Sequence, residues 1–215
     1  MADLQRYDEL REAQRKANTA LLKALLDGAK GRAMIFAGAR ALKYKVIDDT
    51  IAFPDEEATD RLYEFLLYEP RANGSVWAES VLESENEFLP LEREVVRATV
   101  DGRVSLYEIR RVNRPESTIL VQDLLDEGPD IEIVDRGLSR TASPDGIVFG
   151  RVVTVGELRF FSGASVTFGR GEKTLLLSQL AKLNKVRNDT LFRRKRFALF
   201  MELEKYSSIR TLYEL

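Results

Sequence analysis

Arg136, Ser139 and Arg140 stand close together in the stretch DRGLSRTASPDGIVFGRV, which runs from Asp135 to Val152. Two guanidinium forks and a hydroxyl around a glycine are the equipment of an anion site. Gly137 permits an unusual backbone angle, and the arginines can grip a phosphate or carboxylate bidentately. The same side chains have another use. They can pair with the chain's own carboxylates, Glu132 or Glu108 for instance, while their stems cover apolar neighbours. A second set is the basic run Arg193, Arg194, Lys195 and Arg196, with Lys182 and Lys185 upstream. On a helix these fall near one face and would neutralise nucleic-acid phosphates, with an affinity that falls as salt rises. Phe192 and Phe197 interleave with the run, but their spacing suits burial better than base stacking. The competing partner for this run lies within the chain, where residues 46–101 carry 15 acidic and 4 basic side chains.

Other chemistry is bounded by what the chain lacks. It has no histidine and no cysteine. A Ser-His-Asp triad, a thiol nucleophile, a disulfide and a Cys/His zinc site are therefore excluded. FGRGEKT, Phe168 to Thr174, is not a phosphate loop, because Glu172 rather than glycine precedes Lys173. Asp48 with Asp49, and Asp55 to Glu57 with Asp60, are the carboxylates a Mg²⁺-dependent enzyme would need. Asp55 to Glu57 also has a structural use, because acids favour the first turn of a helix. Adjacent residues such as Asp48 and Asp49 point to opposite faces of a strand. The composition implies no cofactor.

The elements that would position these residues follow from periodicity. Leu4 to Leu26 contains neither Gly nor Pro, and Leu10, Ala13, Ala17, Leu21 and Leu25 step by three and four, which predicts a helix with one buried stripe. A second helix is expected over Lys30 to Leu42. KVIDDTIAF reads as a short strand or an extended link. A helix starting near Pro54, with Leu62, Phe65 and Leu66 on its apolar face, ends at Pro70, and short helices follow over 75–86 and 90–100. From Val104 the period becomes two: VSLYEIRRV, STILVQDLL, DIEIVD, GIVFGRVVTV and ELRFFSGASVTF read as strands separated by turn signals. Lys173 to Leu203 returns to helix, one or two with a break at RNDT, and SSIRTLYEL reads as a short terminal helix.

The β-rich segment resembles a known family. LYEFLLYEP, PLEREVVRATVDGRVSLYEIRRV and ILVQDLLDEGPDIEIVDRGLSRTASPDGIVFGRVVTV are similar to the region upstream of the zinc tail in bacterial SEC-C motif proteins. The likeness runs from about Leu62 to Val155. It implies a recurring small β-domain and little about activity. The metal tail itself is absent, so no metal site is carried over, and the family's Gly-Asp before the strand appears here reversed, as Asp145-Gly146.

Together these observations predict an α+β chain. Helices fill residues 1–101, a small antiparallel β-barrel or curled sheet of about five strands fills 102–168, and a helical extension packed on the rest fills 169–215. With no membrane span and a charged start, the expected setting is the cytoplasm. The expected function is a non-enzymatic binding or adaptor module with a protein partner, contacting it through the RGLSR loop and the basic helix. The alternatives are RNA, DNA or ribosome binding, and a carboxylate- and Mg²⁺-dependent enzyme.

Overall fold

The computed structural model describes residues 3–84, 88–183 and 185–207. Its first element, α1 (Leu4–Asp27), begins where Asp3 Oδ1 accepts from Arg6 N at 2.9 Å. This cap satisfies an amide left without a partner at every helix start. All five residues of the expected stripe are buried, joined by Tyr7 and Gln14. Then come α2 (Gly31–Ala41), α3 (Ala58–Tyr68), α4 (Trp77–Ser84) and α5 (Pro90–Asp101). Between α2 and α3, KVIDDTIAF folds as a hairpin of β1 (Lys45–Ile47) and β2 (Thr50–Ala52). Asp48 and Asp49 form its turn with φ of 44° and 60°. A two-residue hairpin loop needs positive φ at both positions, and Asp tolerates it better than most residues.

The second half of the chain builds an antiparallel sheet in the order β5-β4-β3-β6-β7. The strands are β3 (Arg103–Asn113), β4 (Thr118–Asp123), β5 (Ile131–Val134), β6 (Ile147–Val155) and β7 (Leu158–Phe161). A further short strand, β8 (Val166–Phe168), pairs with the first residues of β6, while β7 pairs with its last. ELRFFSGASVTF is thus two strands on one edge of β6, not one strand. The sheet curls until β5 and β7 nearly meet. Val134 of β5 shares a cluster with Val153, Val155 and Phe160, and Tyr7 and Leu10 of α1 with Val95 of α5 cover the seam.

β6 is buried on both faces, which is why its sequence is almost continuously apolar. Val148 and Val152 pack in the barrel interior with Tyr107, Ile109, Val121 and Ile133. Gly150 lies between them, and a Cβ there would come within 2.9 Å of the Ser165 side chain. The alternate residues Ile147, Phe149, Arg151 and Val153 face the helices. The short α6 (Leu138–Thr141) sits between β5 and β6.

At the C-terminal side, α7 (Lys173–Leu183) and α8 (Asp189–Glu204) are separate helices. Asn188 Oδ1 caps the second by accepting from Leu191 N at 2.8 Å. Phe200 of α8 stacks on Phe149 with ring centroids 4.4 Å apart, and Phe197 lies 5.5 Å from Phe65. One hydrophobic cluster therefore contains Leu62 and Phe65, Leu106 and Phe149, and Leu176, Phe197 and Phe200, which come from all three segments distinguished by composition. The terminal SSIRTLYEL segment lies, from its second serine onward, outside the described residues.

Candidate functional site

The RGLSR residues are not a loop. Leu138 to Thr141 make one helical turn, started by Asp135, whose Oδ1 accepts from Leu138 N at 2.8 Å. Burial raises the Asp135 pKa against the effect of that hydrogen bond. Arg136 turns toward α1. Its Nε and Nη2 donate to Asp8 Oδ1 and Oδ2 at 3.0 and 2.8 Å. The hydrogen bond from Arg136 holds the Asp8 carboxyl below its ordinary range. Ser139 is buried beneath the turn. Arg140 is exposed; its backbone N donates to Gly137 O at 3.1 Å, and its side chain makes no hydrogen bond or ion pair with a described residue. Of the three, then, Arg140 alone keeps an exposed side chain with no partner among the described residues, and Arg136 meets a surface carboxylate of α1 that spacing did not suggest.

The basic run of α8 divides in the same way. Arg193 Nε lies 3.7 Å from Glu69 Oε2. Arg194 lays its guanidinium 4.4 Å from the centre of the Phe65 ring and donates to Pro70 O at 2.9 Å. Arg196 donates to Val104 O at 2.8 Å, and its Nε is buried without a partner among the described residues. Burial lowers the pKa of both Arg194 and Arg196. Lys182, Lys185 and Lys195 are exposed, and Lys182 Nζ donates to Gln179 Oε1 at 2.8 Å. The arginines of the run thus dock α8 on α3 and β3, and the lysines face outward. Phe197 is buried and Phe192 half-buried, so the interleaved aromatics serve packing.

The arginine docked on α3 leads to a cluster that spacing did not reveal. Arg151, in the middle of β6, is 1% exposed. Its Nε donates to Glu64 Oε1 and its Nη2 to Glu69 Oε1, each at 2.6 Å. Nη1 donates to the carbonyls of Gly102 at 3.0 Å and Thr99 at 3.4 Å, at the end of α5. The Tyr68 ring lies 5.7 Å from the guanidinium carbon. Burial alone would favour a neutral guanidine, but Glu64 and Glu69 overcome it and raise the Arg151 pKa. An isolated buried charge is prohibitively costly, and this one is compensated on three sides. One side chain thereby ties β6 to α3 and α5, and through Glu69 and Arg193 to α8.

Arg61 makes a second knot nearer the surface. It donates to Asp55 at 3.0 Å, Glu57 at 2.7 Å and Glu204 at 2.9 Å. Asp55 and Glu57, two of the acidic residues before α3 that were candidates for metal chemistry, are thus held by an arginine. Asp49 pairs with Arg32 at 3.1 Å from the hairpin turn. Among the described residues no group of three or more acidic side chains is placed to hold a metal ion. The available signal for both knots was a charge inside an apolar pattern: Arg151 in VFGRVV, and Arg61 and Glu64 in DRLYEFLL.

Two of the exposed large apolar side chains lie at the β1–β2 hairpin. Val46 and Ile51 of the β1–β2 hairpin turn inward and pack on the core, while Ile47 remains 48% and the adjoining Phe53 40% exposed. Phe53 meets the Tyr44 ring edge-on at 6.0 Å. No other described strand pairs with β1 or β2, so each keeps an unpaired edge.

The model of a family of unknown function, DUF7986, matches residues 1–214. The chain belongs to that family. The match spans helices and barrel together, well beyond Leu62–Val155, and carries no link to the SEC-C proteins. No curated protein and no solved structure matches the chain. No helix among the described residues is long and apolar enough to cross a membrane.

Proposed function

We propose that this member of the DUF7986 family is a non-enzymatic binding module that engages a protein partner through its β1–β2 hairpin. The observation that carries this reading is the pairing of exposed Ile47 and Phe53 with two unpaired strand edges on one small hairpin. Apolar anchors give affinity on such a surface, and a free edge can accept a strand from a partner. The inner face of the hairpin is fixed to the core by Val46 and Ile51, so it is presented rigidly. Rigid presentation lowers the entropy lost on binding.

The nucleic-acid alternative keeps Lys182, Lys185 and Lys195, and loses much of its appeal with Arg193, Arg194 and Arg196 turned inward. Affinity capture from the host, with and without nuclease, separates the two. A protein should be recovered with the wild-type chain after nuclease treatment. It should be lost with the Ile47→Asp/Phe53→Ser variant and kept with a Lys182→Glu/Lys185→Glu variant. Recovery of nucleic acid alone, or a partner indifferent to the hairpin changes, overturns the proposal.

A further inference from the structure

A cleft of about 400 Å³ opens between α1, α3 and the turn that joins β7 to β8. It shares no residue with the hairpin. One wall is the face of α1 carrying Arg11, Gln14, Arg15 and Asn18, spaced three and four apart. The other wall is α3, with Asp60 and Glu64. Cations therefore line one side and carboxylates the other. Among the described residues no ion pair joins the two walls. Arg15 turns to Glu12 at 2.5 Å, and Glu64 gives only Oε1 to Arg151.

The α1 wall is held in place and left with donors to spare. Arg11 Nη1 donates to Gln14 Oε1 at 2.7 Å and to the carbonyls of Phe161 and Ser162 at 3.0 Å each. These bonds anchor the guanidinium and leave Nη2 without a hydrogen bond to a described residue. The β7–β8 turn can close on it because Gly163 has φ +115°, and a Cβ there would lie 3.0 Å from Arg11 Nη2. Gln14 is 2% exposed, and its Nε2 has no partner among the described residues. A buried donor without an acceptor is destabilising, and Gln14 Nε2 is such a donor on a residue that lines a cleft. Asn18 Oδ1 accepts from Tyr68 OH at 2.5 Å, which leaves Nδ2 as the donor.

We propose that this cleft binds a small zwitterion of the α-amino acid class. Its carboxylate accepts from Arg11 Nη2, Gln14 Nε2 and Asn18 Nδ2, and its ammonium faces Asp60 and the second oxygen of Glu64. A simple anion would use the α1 wall and leave Asp60 and the second oxygen of Glu64 without a donor from it. A simple cation would do the reverse. A zwitterion answers both walls, and the volume lies at the small end of the range for ligand sites.

Calorimetry and thermal unfolding of the full chain test this with L-alanine, L-leucine, L-glutamate and L-lysine, beside propionate and ethylamine as the analogues lacking one charge. At least one amino acid should bind and raise Tm, with both analogues weaker by about tenfold or more. Gln14→Glu keeps the acceptor for Arg11 and replaces the free donor with an acceptor, so it should abolish that binding. Asp60→Asn, on an exposed residue, should weaken it without disturbing the fold. The proposal is overturned if none of the four amino acids binds, if either analogue binds as tightly as the best of them, or if both variants bind like the wild type.

Discussion

Arg151 and Arg136 each grip carboxylates with Nε and Nη2, yet one is sealed inside the molecule and the other lies on its surface. Arg151 has 1% of its side chain exposed and Arg136 has 41%. Water is what separates them. At the surface, breaking an ion pair returns both groups to solvent, and little is lost. Inside, removing the arginine strands Glu64 and Glu69 in a medium that cannot solvate them. The same two donor atoms therefore carry different weight, and the barrel–helix junction depends on Arg151 and its two carboxylates far more than the RGLSR turn depends on Arg136 and Asp8.

The largest effect should come from breaking the buried member. Arg151→Met should lower unfolding stability by about 3–5 kcal/mol, read from urea denaturation. Adding Glu64→Gln and Glu69→Gln in the same chain should restore a substantial part, because the uncompensated charges are then gone. Arg61→Ala is intermediate. Its guanidinium is buried, but Asp55 and Glu57 reach solvent, so a loss of about 2 kcal/mol is expected by the same measurement. Next comes a contrast within α8. Arg196→Ala should cost about 1–2 kcal/mol through the bond to Val104 O, whereas Lys195→Ala should stay within about 0.5 kcal/mol.

Arg136→Ala should have the smallest effect, and its sign with pH is defined. The Asp8 pKa is depressed below its ordinary 3.8, so the contribution of the pair is present above that value and lost as pH falls through the folded-state value. Thermal unfolding of Arg136→Ala and wild type should therefore differ slightly at neutral pH and converge in acid. A difference that grows in acid would contradict the surface reading of this pair.

Much of the fold was legible because periodicity reports burial. The α1 stripe and the two faces of the strands are written in spacings of three, four and two. Two features escaped for identifiable reasons. The break within ELRFFSGASVTF depends on a positive φ at Gly163 and on β6 being long enough to pair with two strands end to end. The partners of Arg151 lie 82 and 87 residues away in the chain, beyond the reach of any local pattern. The run Arg193 to Arg196 was visible as charge, but its direction was not, because a guanidinium on a long stem can turn inward wherever carbonyls and an aromatic face await it. The candidate site suffered most from this. Arg136 and Ser139 are absorbed by the fold, and KVIDDTIAF, which carries Ile47 and Phe53, has the pattern of a strand or link with no sign of a hairpin.

The claim that one buried arginine fastens the helical layer to the barrel is tested most directly by urea unfolding of Arg151→Met. Trp77, the single tryptophan, reports the helical layer through fluorescence, and far-ultraviolet circular dichroism reports the whole chain. The wild type should unfold in one transition seen alike by both probes. The variant should unfold at a clearly lower urea concentration. A variant whose midpoint equals that of the wild type would contradict the account.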